Sequence, residues 1–180
     1  MYWNDSFNLA AFDIGEIEEG DFFIRFKLRD KEDFKFNLVS VYGSAQNDTK
    51  DKFLSELVRM CSKETLPIVR GGDFNIIGGP DEKNNSNYND KWPFLFNAII
   101  DTIYERFRCL AGKYTWANHL QNQNFEKLDR ILTCTDFESK FPRTTVQTLS
   151  RDISDHTPLF INTNNSSLTY QPQFKFELGW

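Results

Sequence analysis

The sequence predicts an α+β fold, a two-layer β-sandwich with flanking helices, on the basis of three observations. Residues 22–28 and 34–42 alternate apolar and polar side chains on either side of a polar turn, which predicts an antiparallel hairpin of half-buried strands. Residues 47–62 and the segment from Pro93 onward repeat apolar side chains at helical spacing instead. Short apolar runs separated by turn residues then predict further strands.

Each element has its own signal along the chain. Asn47 or Asp48 suits the N-cap of the first helix. A buried strand should follow that helix and lead to Asn75, and the Gly-, Pro- and Asn-rich stretch 78–90 predicts a loop without regular structure. Pro93 suits the first turn of the second helix. The remaining strands are expected at 113–116, 128–132, 144–149 and 157–161.

At 180 residues, 39% of them hydrophobic, the chain is expected to form one globular domain over 1–180. It contains no apolar stretch of the ~18–20 residues that a membrane span needs, and its start does not resemble a signal peptide. Its cysteines, odd in number and widely spaced, indicate free thiols. We therefore predict an intracellular protein of the nucleus or cytoplasm with no membrane association, and the sequence identifies no protein partner. The net charge of −5 argues against a strong nonspecific grip on nucleic acid.

A carboxylate and an amide follow two glycines at the end of the strand that begins at Ile68. Because side chains alternate along a strand, Asp73 and Asn75 should point to one side while Phe74 points back into the packed layer. Such a pair suits a metal ion or a polarised phosphate. Asp and Asn after a strand also serve as turn residues that bond their own backbone, so both interpretations stay open at this point.

Two later segments carry further acid–base groups. Asp129 lies in an apolar run typical of a buried strand, where an ionised carboxylate is costly unless it has a partner or a function. A salt bridge to Arg130 is the structural alternative, although neighbours in a strand face opposite ways. Asp155 and His156 lie where a polar loop enters an apolar strand, a usual place for acid–base chemistry. A capped turn with a surface histidine is the alternative there.

Together the three segments resemble the endonuclease/exonuclease/phosphatase superfamily, whose downstream half is marked by Gly-Asp-x-Asn, Leu-Asp-(Arg/Tyr)-Ile and Ser-Asp-His-x-Pro-Leu. In this sequence the motifs occupy residues 72–75, 128–131 and 154–159. The strand that ends at Tyr42 resembles the family strand that carries an active-site tyrosine. The Pro and Asn that usually follow this tyrosine are replaced here by the segment 43–45, Gly-Ser-Ala.

A narrower resemblance, over roughly residues 12–180, is to the endonuclease domain of plant LINE-type (non-LTR) retrotransposon polyproteins. The segments similar to that lineage are 53–57, 71–77, 92–97 and 114–118. Residues 174–177 resemble the segment that leads out of the nuclease toward the reverse transcriptase, so 170–180 is interpreted as an exit segment.

The resemblance implies divalent-metal-dependent hydrolysis of phosphoester bonds, usually with Mg²⁺, and DNA as the partner of the intact domain. Asp73 would orient or deprotonate the attacking water, and Asn75 would hold the phosphate. His156, oriented by Asp129, would donate a hydrogen bond to a phosphate oxygen. Asp155 and Asp73 would ligate the metal ion.

Three further contacts are expected around that centre. Tyr42 would contact the phosphate or the leaving group. Trp116 is a candidate for stacking on a DNA base, with a place in the core as the alternative. Arg130 is a candidate for facing the phosphate backbone, although scattered basic residues more often solvate a surface.

The family's opening strands, which carry an Asn and the principal metal ligand, a Glu, have no counterpart before Tyr42. Glu16, Glu18 and Glu19 are expected in a solvated run that ends no apolar strand. We therefore expect a single partial domain that lacks its first strands and whose metal binding and catalysis are impaired. Two alternatives stay open: a phosphomonoesterase of the same superfamily, and a non-catalytic remnant of a retroelement.

Overall fold

The computed structural model describes residues 12–85, 87–103, 113–118, 120–151 and 154–163. The strands are β1 Phe12–Glu19, β2 Phe23–Asp30, β3 Lys35–Tyr42, β4 Ile68–Asp73, β5 Trp116–Ala117, β6 Phe125–Glu126, β7 Asp129–Thr133, β8 Thr145–Thr148 and β9 Leu159–Asn162. The helices are α1 Lys50–Ser62, α2 Lys91–Ile103 and α3 Thr135–Lys140, and a 3₁₀ turn spans Pro80–Glu82. The expected exit segment 170–180 lies outside the described residues.

A five-stranded sheet in the order β1-β2-β3-β4-β7 forms the centre of the fold. All of its neighbouring strands are antiparallel except β3 and β4, which run parallel and are connected by α1. Strands β8 and β9 form a separate antiparallel pair, and so do β5 and β6. The mixed central sheet leaves both of its faces to be covered by other elements.

Alternation along the strands divides the core into two layers. Val39 and Val41 of β3 pack with Phe53 of α1 on the helix-covered face. Phe36, which points the other way from the same strand, packs with Val146 of β8 and with α3. The predicted α+β sandwich with helices outside is therefore confirmed. None of the described helices is long and apolar enough to cross a lipid bilayer.

The first strand is the main difference from the prediction. Glu16, Glu18 and Glu19 are exposed, as expected of a solvated run, but they form part of a strand, β1, which pairs with β2 at the edge of the sheet. Nearly every residue of β1 is exposed, so no apolar alternation marked it in the sequence. Ion pairs from Asp13 and Glu18 to arginines of β2 hold it there, with a bulge near Gly15.

Other differences are small shifts at the ends of elements. The first helix begins at Lys50 after Thr49, rather than at Asn47 or Asp48, and no side chain caps it. The second helix begins at Lys91, which places Pro93 in its first turn, as predicted. Three short elements, β5 with β6 and α3, have boundaries that the sequence did not indicate, because they are too short to show a period.

Candidate active site

Three neighbouring strands bring polar residues to one edge of the central sheet. The carboxyl ends of parallel β3 and β4 meet at that edge, and antiparallel β7 begins there. In the strand register Tyr42 pairs with Asp73, and Asp73 pairs with Asp129. These three residues therefore form a row across the sheet, on strands about 4.8 Å apart.

Asp73 and Asn75 meet through a turn and not through strand alternation. β4 ends at Asp73, and Asn75 adopts the left-handed conformation with φ 52°. The Asn75 backbone N–H donates to Asp73 Oδ1 at 2.8 Å, and its Nδ2 donates to Asp73 Oδ2 at 2.7 Å and to the Gly43 carbonyl at 3.0 Å. Both N–H bonds of this carboxamide are thus engaged within the protein. Phe74 between them is fully buried, as its sequence position predicted.

Asp129 and His156 form a hydrogen-bonded pair. His156 Nδ1 lies 2.9 Å from Asp129 Oδ2, and His156 Nε2 lies 3.9 Å from Asp73 Oδ2. The partner of the Asp129 carboxylate is therefore this histidine and not Arg130. The imidazole is positioned between two carboxylates from neighbouring strands, with its second ring nitrogen facing Asp73.

Burial and hydrogen bonding shift the pKa values of two of these groups. Burial raises the pKa of Asp73, and the Asp129 charge adds to it, while the hydrogen bonds from Asn75 oppose it. The hydrogen bond to Asp129 raises the pKa of His156 above its ordinary value of 6.5, and together with nearby carboxylate charges it outweighs the opposing effect of burial. The site therefore favours a protonated imidazole beside a carboxyl group that ionises at higher pH than usual.

Asp155 is held by Trp116. The indole N–H donates to Asp155 Oδ2 at 2.9 Å, and the backbone of Trp116 forms a β-bridge with His156. Trp116 is half-buried and its N–H is used within the protein, so its role in the described structure is to hold the Asp155 carboxylate in place. Tyr42 is the contrasting case, because 53% of its surface is exposed at the same edge.

Arg130 points away from this edge into the protein. Its guanidinium donates to both carboxylate oxygens of Glu82, at 2.9 and 2.5 Å, and to the backbone carbonyls of Ile76 and Lys127. Only 6% of the residue is exposed. The side chain thus ties the 3₁₀ turn to β7, a position that does not suit contact with a substrate.

Three supporting residues had no clear signal in the sequence. Lys50 is buried, and its ammonium donates to the carbonyls of Ser44 and Asn75 at 3.1 and 2.5 Å. The sequence could have indicated Lys50 by its position, because it lies one helical turn before the apolar residues Phe53 and Leu54 and so on the buried face of α1. A charge on that face must be paired. Thr115 lies just before the two-residue strand β5 and Glu82 lies in the 3₁₀ turn, and neither element is long enough for a pattern to single out one polar residue.

The acids of the site fall short of a complete metal centre. No group of three His, Cys, Asp or Glu side chains suited to a metal ion occurs within the residues that the structure describes. Asp73 and Asp155 offer the hard oxygen atoms that Mg²⁺ prefers, but Asn75 and Trp116 already bond to them. Glu19 of β1 is three strands away from β4, or about 14 Å. The early acids therefore do not complete the set.

Two comparisons give the fold a place among solved structures. The endonuclease domain of TRAS1, a telomere-specific non-LTR retrotransposon, has a TM-score of 0.65 at 15% identity, covering 84% of this chain and 68% of that one. The 3′ phosphatase NExo from Neisseria, solved with a product DNA hairpin, has a TM-score of 0.60 at 14% identity, covering 84% of this chain and 71% of that one. Likeness at this identity shows a shared fold.

Two comparisons of the sequence with known proteins differ in how much of the chain they cover. A curated protein named glutathione S-transferase 2, from Manduca sexta, is 25% identical over 103 residues, which are 56% of this chain. The match spans only about half of that protein, 51%, and is too distant to carry its activity over. The family model described as Endonuclease/Exonuclease/phosphatase family, in contrast, matches residues 7–156, which include the row of polar residues and the Asp129–His156 pair. The chain therefore belongs to the endonuclease/exonuclease/phosphatase family.

Proposed function

We propose that this domain hydrolyses phosphodiester bonds of DNA in a divalent-metal-dependent reaction, and that this chain does so weakly. The observation that carries the proposal is the Asp129–His156 pair, whose second ring nitrogen faces the buried Asp73. Phosphoester hydrolysis needs a proton acceptor for water and a donor for the charge that develops on the phosphoryl oxygens. This arrangement supplies one of each within 3.9 Å.

Asp73 is the proposed base. Because burial raises its pKa, its carboxylate accepts a proton more readily than an exposed one. The two hydrogen bonds from Asn75 fix both oxygens, and each oxygen keeps a further lone pair for a water molecule. In this role Asp73 orients the attacking water and removes its proton. Asn75 holds the base, which is a different task from the phosphate contact that the family resemblance implied.

His156 is the proposed donor to the phosphate. When the ring is protonated, Nδ1–H is bound by Asp129 and Nε2–H is left for a phosphate oxygen. Tyr42, exposed at the same edge, is placed to contact the phosphate or the leaving group. The rate should rise with pH as Asp73 ionises and fall as His156 loses its proton, and both limits are shifted upward by the surroundings of these groups.

The weak activity follows from the metal ligands. A bound divalent ion would neutralise charge on the phosphoryl oxygens. Asp155 and Asp73 are the proposed ligands, and two carboxylates alone hold Mg²⁺ poorly. We infer that a metal site of only two carboxylates among the described residues limits the reaction, and that the chain derives from a LINE-type retrotransposon. The likeness to the TRAS1 endonuclease domain and to the DNA-bound NExo structure supports DNA as the substrate. An intracellular site of action, in the nucleus or cytoplasm, is part of the same proposal.

Nicking of supercoiled plasmid DNA tests this function. We expect slow conversion to open circles that needs Mg²⁺, stops with a chelator, and disappears in Asp73→Asn and His156→Ala. His119→Ala is the matched control, since His119 is the second histidine of the chain and has no assigned role. Nicking that persists in His156→Ala would refute the proposed site.

Two further results separate the alternatives. No nicking at any Mg²⁺ concentration, from a chain that is folded by circular dichroism, would favour the non-catalytic remnant. Faster hydrolysis of p-nitrophenyl phosphate than of bis(p-nitrophenyl) phosphate would favour the phosphomonoesterase. Robust nicking that is lost in Glu16→Gln would show that an acid of β1 serves as the metal ligand after all.

A further inference from the structure

Thr115 is a fully buried residue at the junction of the segments that carry the acid–base groups. Its hydroxyl oxygen accepts two consecutive backbone N–H bonds, from Leu128 at 3.0 Å and from Asp129 at 2.8 Å. Its own backbone N–H donates to the Glu126 carbonyl, and its carbonyl accepts the N–H of Thr157 at 2.6 Å. One residue therefore bonds to the chain just before Asp129 and to the chain just after His156.

The same network reaches the third segment of the site. The carbonyl of Leu128, whose N–H is bound by the Thr115 hydroxyl, accepts the N–H of Phe74 at 2.9 Å. Phe74 lies between Asp73 and Asn75. The backbone of Leu128 thus links Thr115 to the turn that holds the proposed base, because its N–H bonds to Thr115 and its carbonyl bonds to Phe74.

We propose that Thr115 is the positioning residue of the Asp129–His156 pair. This role serves catalysis only if the proposed function is right, and so the inference rests on that function, but its test does not require activity. By fixing the Asp129 backbone on one side and the Thr157 backbone on the other, Thr115 sets the distance across which Asp129 binds Nδ1 of His156. It does not touch the substrate in this role.

The chemistry of the hydroxyl explains why threonine suits this position. A hydroxyl oxygen has two acceptor lone pairs, and both are used here by buried N–H groups. Valine has nearly the same shape but no acceptor, so the N–H groups of Leu128 and Asp129 would be left without this partner. The backbone around Asp129 would then have to move for these N–H groups to find another acceptor. Serine keeps the acceptor and loses one methyl group. Comparing Thr115→Val with Thr115→Ser therefore distinguishes the effect of losing the hydroxyl from the effect of losing side-chain volume.

The test is the tautomer of His156, read from side-chain ¹⁵N chemical shifts at a pH where the ring is neutral. Asp129 accepts from Nδ1, so the wild type should carry its proton mainly there, although free imidazoles of histidine favour Nε2. We expect Thr115→Ser to keep this preference and Thr115→Val to reduce the Nδ1–H to Nε2–H ratio at least about threefold. His119→Gln assigns the signals, and Asp129→Asn marks the ratio when the carboxylate is lost.

Hydrogen exchange is the second measurement. The amides of residues 128 and 129 should be protected in the wild type and in Thr115→Ser, and exposed in Thr115→Val. Wild-type tautomer ratio and protection in a folded Thr115→Val variant would overturn the proposal. If that variant does not fold, Thr115→Cys replaces it, because a thiol is a weaker acceptor of similar size. An intermediate ratio then supports the proposal, and a wild-type ratio overturns it.

These readouts do not depend on catalysis. A wild-type ratio in both variants would remove the role of Thr115 while leaving the plasmid test of Asp73 and His156 unaffected. A chain that never nicks DNA would still give a readable tautomer ratio. Failure of the positioning role and failure of the proposed function are therefore distinguishable.

Discussion

Glu82→Ala is expected to destabilise the domain strongly although Glu82 lies in a short 3₁₀ turn. The Glu82 carboxylate accepts two hydrogen bonds from the guanidinium of Arg130 and one from the Gly78 backbone N–H. Only 8% of the Arg130 side chain is exposed. Without Glu82 this buried positive charge keeps only the carbonyls of Ile76 and Lys127 as acceptors.

The size of the effect follows from the exposure of the two partners. Removing one partner of a buried ion pair costs about 3–5 kcal/mol, because the other charge stays desolvated. The Glu82 side chain is 17% exposed, so water reaches part of the site and the lower end, ~3 kcal/mol, applies. This corresponds to a factor of roughly 150 in the folding equilibrium constant. With a urea slope of about 2 kcal/mol/M, the midpoint should fall by roughly 1.5 M.

The pH dependence of this loss identifies its cause. Burial opposes the ionisation of Glu82, but the hydrogen bonds and charge of Arg130, with smaller contributions from the Gly78 N–H and the Lys127 charge, lower its pKa below the ordinary value of 4.5. A lowered carboxyl pKa stabilises the folded state above the unfolded value, and this contribution is lost as the pH falls through the folded value. The difference between wild type and Glu82→Ala should therefore be full at neutral pH and shrink below about pH 4.5.

Equilibrium urea unfolding of four proteins makes the measurement: wild type, Glu82→Ala, Arg130→Met and the double variant. The double variant should be more stable than Glu82→Ala alone, because an apolar side chain leaves no buried charge. A midpoint unchanged in Glu82→Ala would refute this reasoning. If Arg130→Met kept its stability and lost only DNA affinity, Arg130 would be a substrate contact as the sequence suggested.

Three further predictions concern the site. The free energy of unfolding should fall as the pH rises from about 6.5 through the raised pKa of His156, since the protonated ring is stabilised only in the folded state. Unfolding measured over a series of pH values should show that Asp129→Asn removes most of this fall. Phe74→Ala should cost about 3–5 kcal/mol by urea unfolding, because a fully buried ring leaves a cavity; a loss below 1 kcal/mol contradicts this. Lys50→Met should cost about 2 kcal/mol and loosen the turn at Asn75, since buried carbonyls lose their donor, and amide exchange of that turn should accelerate.

The sequence predicted the parts of the site whose residue types conflict with their surroundings. A carboxylate in an apolar strand indicated that Asp129 has a partner, and the pairing with His156 followed from the family resemblance. The alternation that placed Asp73 beside Asn75 gave the right neighbours for the wrong reason. The strand had already ended at Asp73, and the left-handed backbone of Asn75 turns its side chain back.

Long-range supports were beyond prediction for a physical reason. The bond between Glu82 and Arg130 joins positions 48 residues apart, and that between Thr115 and Asp129 spans 14 residues that include the short strands β5 and β6. No local period encodes such contacts. β1 was missed because both of its faces are exposed, so its pairing depends on backbone hydrogen bonds and ion pairs and not on buried apolar side chains.

The acidic composition of β1 affects how the domain behaves in concentrated solution. In the described part of the chain β1 is one of the two edge strands of the central sheet, a position that offers backbone groups to another molecule. Four of its eight residues are acidic: Asp13, Glu16, Glu18 and Glu19. Two such strands placed side by side repel each other at neutral pH. High salt screens that repulsion and leaves Ile14 and Ile17 as exposed apolar contacts, so concentrated salt should convert dispersed molecules into β-rich assemblies.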